Sequence, residues 1–154
     1  MTIFEIAIET LFSASEPLGG VGCVIYGMLD DDAAPSYDIE LAAHLPEHLG
    51  AFGTLAVAVE ALAALRRDAR HGDHVDIALP TSMSAITVHA LGSEGGGEML
   101  ETFTEAIADL RHSAITVRVT RHDRANPDSL KRATALADLA IDAKAFAAFG
   151  GKGD

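Results

Sequence analysis

The sequence contains no tryptophan, and aromatic residues make up only 5% of it, so platforms for stacking unpaired bases are scarce. It contains one cysteine, Cys23, which excludes an internal disulfide framework. Cys23 sits in the apolar run Val21-Gly22-Cys23-Val24-Ile25-Tyr26 and reads as a small core residue rather than a nucleophile. No apolar run approaches the roughly 18 residues of a membrane span. The opening Met1-Thr2-Ile3-Phe4-Glu5 carries no basic leader. A soluble, cytoplasmic chain without a membrane partner is expected. Positive charge is short as well: 11 Lys and Arg stand against 23 Asp and Glu, a net charge of −12. That balance argues against a broad basic field gripping phosphates.

What remains is ordinary globular material. Hydrophobic residues make up 49% of the 154 and charged residues 22%, enough for a single core without a metal or disulfide staple. One domain over residues 1–150 is expected, with a short tail at 151–154. Residues 2–10 form a β-branched run broken by Glu5 and Glu9, the pattern of a largely buried strand. Turn residues Pro17 and Gly19-Gly20 precede a second strand over 21–29. Asp30-Asp31-Asp32 and Pro35 precede a third over 37–43. The period then changes. Leu55, Val59, Leu62 and Leu65 mark a helix over 51–67, ended by Arg66, Arg67, Arg70 and Gly72. A strand over 75–79, a helix over 82–91, a helix over 98–111 and a strand over 115–120 follow. A last helix is expected from Leu130 to Phe149, opened by Asn126-Pro127-Asp128-Ser129 and closed by Gly150. The order is βββαβααβα, an α/β domain with a five-stranded mixed sheet flanked by helices.

Several local patterns can be set aside as carriers of chemistry. His44 with His48, and His71 with His74, have metal-ligand spacing, but Pro46 and Gly72 interrupt a shared helix face. Gly95-Gly96-Gly97 lacks the Lys-Ser/Thr that follows a phosphate loop and reads as a flexible linker. Ser13, Ser15, Ser82 and Ser84 have no nucleophile elbow around them. Arg66, Arg67, Arg70, Arg118, Arg121 and Arg124 read as solvated surface.

The order of elements and several motifs resemble the ribonuclease H-like superfamily, and ribonuclease H type I most of all. Glu9 ends the first strand, and Gly19-Gly20-Val21-Gly22 follows ten residues later. Leu55 to Leu65 resembles the family's first helix. Phe103 to His112 and Ile115 to Val119 resemble its late helix and fifth strand, and Thr134 to Ala140 its last helix. The resemblance implies hydrolysis of the RNA strand of an RNA–DNA hybrid, with two Mg²⁺ or Mn²⁺ ions held by four carboxylates. Carried over position by position, those acids fall on Glu9, Thr54, Thr81 and Thr134, and the family's loop histidine on His122. Three of the four acids are therefore threonines. Neutral hydroxyls do not offset two divalent cations, so the resemblance implies a pseudoenzyme. The expectation is a ribonuclease H-like binding or interaction module, with an unknown protein partner or a second copy of itself and no cofactor. The alternative is an active ribonuclease H endonuclease on RNA–DNA hybrid, with Glu9 as a metal ligand and Glu9 and His122 as catalytic residues.

Overall fold

The computed structural model describes residues 2–12, 18–29, 35–46, 50–92, 95–121, 125–143 and 147–151. In chain order the elements are β1 (Thr2–Phe12), β2 (Leu18–Leu29), β3 (Pro35–Pro46), α1 (Gly50–Asp68) and β4 (His74–Leu79). They continue with α2 (Met83–Leu91), α3 (Gly96–His112), β5 (Thr116–Arg121), α4 (Pro127–Ala143) and β6 (Ala147–Gly151). The sheet order is β5-β4-β1-β2-β3-β6. β1, β2 and β3 form an antiparallel meander, and β4 and β5 add to β1 as parallel strands. This is the expected mixed α/β sheet, with the helices inserted where the sequence pattern put them.

The end of the chain differs from expectation. The last helix stops at Ala143 rather than continuing to Phe149, and Ala147–Gly151 pairs antiparallel with β3 as a sixth strand. The Ala-Ala-Phe-Gly-Gly run lacks the helical spacing of charges that precedes it. As a strand it satisfies the outer backbone groups of β3, which would otherwise lie on an open edge.

Strand alternation splits the sheet into two unlike faces. On one, Phe4, Ile6 and Ile8 of β1 join Val21, Cys23 and Ile25 of β2 and Val75, Ile77 and Leu79 of β4. Leu55, Leu62 and Leu65 of α1 and Phe103 and Leu110 of α3 cover them. Each such side chain contributes roughly 1.5–3 kcal/mol by leaving water. Burial pushes the Cys23 thiol up to about 12, so it stays protonated and inert as the sequence suggests.

Among the described residues the other face carries α4 alone, and the contact is unusually close. A Cβ on Gly22 would overlap the backbone carbonyl of Ala133, and one on Gly20 that of Ala137. Gly20 and Gly22 sit two apart on one strand face, and Ala133 and Ala137 four apart on one helix face. Small residues on both sides let the helix backbone rest on the strand. Val24, Ala133, Leu136 and Ala140 complete this second core.

Gly95-Gly96-Gly97 is not the free linker its composition suggests. Gly95 takes φ 76°, and Gly96 is the buried first residue of α3. A Cβ on Gly96 would overlap the Ala90 carbonyl, so glycine lets α3 start directly against the end of α2.

Candidate functional site at the strand ends

β1 and β4 run parallel in a register that pairs Ala7 with Ala78, so both strands finish at the same end of the sheet. α1 and α2 begin at that end, after β3 and β4 respectively. Open α/β sheets bind ligands at such carboxyl ends, beside a change of strand direction. Here β1 lies between an antiparallel neighbour and a parallel one. The positions expected to carry chemistry fall in this region.

Thr54 lies in the first turns of α1 and is only 3% exposed. Its Oγ1 lies 3.0 Å from Oγ1 of Thr10. Thr10 shares its strand face with Ile6 and Ile8, beneath α1. Glu9, one residue earlier, belongs to the opposite face, opposite Gly22 and under α4. It is half-buried, and its Oε1 accepts the Thr10 N–H at 3.3 Å. The sheet therefore separates Glu9 from Thr54. Thr10, which spacing did not single out, is the β1 residue whose side chain bonds Thr54 of α1. Period-2 alternation from Ile6 and Ile8 was the signal that could have found it.

Thr81 is exposed just beyond β4, three residues past Ala78 as Thr10 is three past Ala7. Ser82 caps α2, its Oγ accepting the Ala85 N–H at 3.2 Å. Thr134 is exposed on α4 one turn beyond Leu130, which packs against Ala7 and Ala78. The Thr134 hydroxyl donates to the Leu130 carbonyl at 2.9 Å, so its proton is spent on its own helix. His122 lies outside the described residues, as do His48 and the side chain of His44.

The residues present do not fit a pair of divalent cations. Such ions need several anionic oxygens converging from both sides. Of the expected set only Glu9 is an acid, and it is across the sheet from Thr54. The Thr10 and Thr54 hydroxyls are bonded to each other, and that of Thr134 to backbone. Among the described residues no three His, Cys, Asp or Glu side chains come together as a metal-binding group.

Acids do meet further down the α4 face, but they are engaged there. Glu5 of β1 and Asp76 of β4 are register neighbours. Arg118 of β5 donates to both Asp76 oxygens, at 2.9 and 3.3 Å, and His74 Nε2 lies 2.8 Å from Asp76 Oδ1. Glu5 Oε1 accepts the Asn126 N–H at the start of α4 at 3.0 Å. Burial raises the Glu5 carboxyl above the usual carboxylate range; the Asn126 bond pulls it back, and the Asp76 charge adds to the rise. Asp73 is 6% exposed and ties three segments together. It accepts the Thr2 N–H at 2.8 Å and the Arg70 N–H at 2.7 Å. His71, in the same turn, is exposed, and His74, whose spacing from it was set aside as a metal pair, is turned to Asp76.

With this geometry in view, the chain can be set beside known proteins. No protein-family model matches the sequence, and no curated protein is similar to it. Solved structures are similar. The chain superposes on LC9-RNase H1, a type 1 RNase H with the type 2 active-site motif, at a TM-score of 0.61 and 16% identity. That match covers 97% of this chain and 77% of the other. RNase H1 from the halophilic archaeon Halobacterium salinarum gives a TM-score of 0.53 at 13% identity, covering 92% of this chain and 98% of that one. LC11-RNase H1 in complex with an RNA/DNA hybrid gives 0.53 at 14% identity, covering 94% and 99%. The chain has the ribonuclease H-like fold. No helix among the described residues is long and apolar enough to cross a membrane.

Proposed function

We propose that this chain is a ribonuclease H-fold protein that works as a binding or interaction module without two-metal nuclease activity. The observation that supports it is the pairing of Thr10 with Thr54 at the junction of β1 and α1. Two neutral hydroxyls satisfy one another where the fold's chemistry calls for anions. Desolvated cations are stabilised by charge, and a hydroxyl pair supplies only dipoles. Thr81 and Thr134 add two more hydroxyls around the same strand ends and no charge. The partners of such a module are a protein or a second copy of the chain, in the cytoplasm, and it needs no bound metal.

A second reading is favoured by one comparison: LC11-RNase H1 was solved with an RNA/DNA hybrid bound. On that reading the chain is a ribonuclease H endonuclease that uses Mg²⁺ or Mn²⁺, with Glu9 holding metal and His122 moving a proton.

One assay separates the two. The full chain is incubated with a labelled RNA–DNA hybrid in Mg²⁺ and separately in Mn²⁺, beside Glu9→Gln. The expected result is no cleavage by either protein. Cleavage by the unaltered chain that Glu9→Gln abolishes overturns the proposal and supports the nuclease.

A further inference from the structure

Three polar side chains are buried among the described residues: Thr54, Asp73 and Ser129. Thr54 is paired with Thr10, and Asp73 accepts two backbone N–H groups. Ser129 is 6% exposed, and its hydroxyl has no hydrogen-bond partner among the described residues. An unsatisfied buried hydroxyl costs stability, and native chains nearly always satisfy one. Ser129 lines a cavity of about 200 Å³ between the first turn of α4 and strands β2 and β3, so its partner can come from outside the chain.

The same turn leaves a second donor there. Pro127 has no N–H. The Asp128 N–H donates to Asn126 Oδ1 at 2.9 Å, and the Leu130 N–H to the Asn126 carbonyl at 3.0 Å. Between them, the Ser129 N–H has no partner among the described residues. Charge around the cavity is close to balanced. Arg132 binds both Glu40 oxygens at 2.7 Å, and Asp128 lies at the partly positive end of α4. An anion in the cavity would meet two carboxylates, and a cation would meet Arg132 and the helix end. A neutral ligand meets neither penalty. Val24 and the half-buried Tyr26 give the cavity an apolar side. At roughly 30 Å³ per water molecule its volume equals about seven waters, smaller than a drug-sized site.

We propose that this cavity binds a small neutral polyol of about pentose size, held through Ser129 at the start of α4. The carbon edge of such a molecule packs on Tyr26 and Val24. Its hydroxyls both donate and accept, so they can serve the Ser129 hydroxyl and N–H together with the neighbouring carboxylates. The site lies across the sheet from the Thr10–Thr54 pair and does not rest on the interaction-module reading. The sugar of a nucleic acid carries the same hydroxyls, but its phosphates would face Glu40 and Asp128.

The test titrates the ¹⁵N-labelled full chain with D-ribose and follows its amide spectrum. Saturable shifts centred on Asn126, Asp128 and Ser129 are expected, with a Kd of about 10 mM or tighter. Inorganic phosphate and methylammonium, at matched ionic strength, are expected to leave these amides unmoved. Ser129→Ala removes a hydroxyl that has no partner in the free chain, so its Tm is expected to be no lower than the parent's, while ribose binding weakens about fivefold or more. Absence of saturation up to about 100 mM overturns the proposal and leaves water as the occupant. So does an unchanged ribose affinity in Ser129→Ala. A lowered Tm in that variant also overturns it, because the hydroxyl would then be bonded within the chain. Tighter binding of phosphate than of ribose overturns it in favour of an anion site. A single-stranded oligoribonucleotide that shifts the same amides at lower concentration than ribose overturns it in favour of nucleic acid.

Discussion

The seam between β2 and α4 and the strand ends beside it are built from similarly small residues, yet they meet different demands. In the seam, Gly20 and Gly22 face Ala133 and Ala137 so closely that a single added methyl would strike backbone. At the strand ends the Thr10 and Thr54 hydroxyls lie 3.0 Å apart, with Thr54 buried, while Thr81 and Thr134 are exposed. The seam obeys the fold's geometry in every residue. The strand ends are joined by polar contacts instead, the Thr10–Thr54 hydroxyl pair on one face and Glu9 on the other. Packing and chemistry are therefore separable in this molecule: the helix needs glycine beneath it whether or not a metal sits at the end of the sheet.

The sharpest way to break the seam is Gly22→Val. Its side chain would have to occupy the space of the Ala133 carbonyl, and a loss of at least about 3 kcal/mol is expected, read as loss of the cooperative thermal transition. A melt within a few degrees of the parent would show that α4 can lift off the sheet at little cost. Next comes Asp73→Ala, which asks whether acids here serve structure. Removing a buried carboxylate that accepts two backbone N–H groups is expected to cost about 3 kcal/mol in urea unfolding. Thr54→Val addresses the strand ends. It breaks the hydroxyl pair at nearly constant volume, so about 1 kcal/mol is expected, with no change in the hybrid assay. A larger loss would mean that the pair holds β1 to α1 rather than merely filling the position.

Glu5→Gln gives the smallest effect and depends on pH. The folded state raises the Glu5 carboxyl, so the native protein keeps that proton to higher pH than the unfolded chain. Stability from this group is full below the unfolded value and falls as pH rises through the folded one. The variant should remove that fall, so that its unfolding midpoint gains on the parent as pH rises above the ordinary glutamate value of about 4.3. A parallel pair of pH profiles would show that the Asn126 bond cancels the effect of burial.

Much of the scaffold was legible in the sequence. The switch from period 2 in residues 2–10 to period 3.6 at Leu55, Val59, Leu62 and Leu65 located the meander and α1, because alternation and helical spacing are local properties. The Gly19-Gly20-Val21-Gly22 motif was visible, though its partner was not, since Ala133 lies more than a hundred residues away. The end of α4 was misjudged because an Ala-rich run suits a helix locally, and the open edge of β3 that takes it as a strand is a feature of the assembled sheet. Gly95-Gly96-Gly97 was misjudged for the same reason: composition shows flexibility, and only the helix packed against Gly96 shows why flexibility is not its use.

The candidate site divides along the same line. The surplus of acids and the threonines at positions 54, 81 and 134 are plain in the sequence. So is the exclusion of an internal disulfide, because Cys23 is the one cysteine in the sequence. These follow from residue identity alone. Which β1 residue meets Thr54 was decided by the pleat. A shift of one position along a strand exchanges the two faces, and it sets Thr10 under α1 and Glu9 under α4. Chemistry at a strand end depends on that face, and only the folded sheet assigns it.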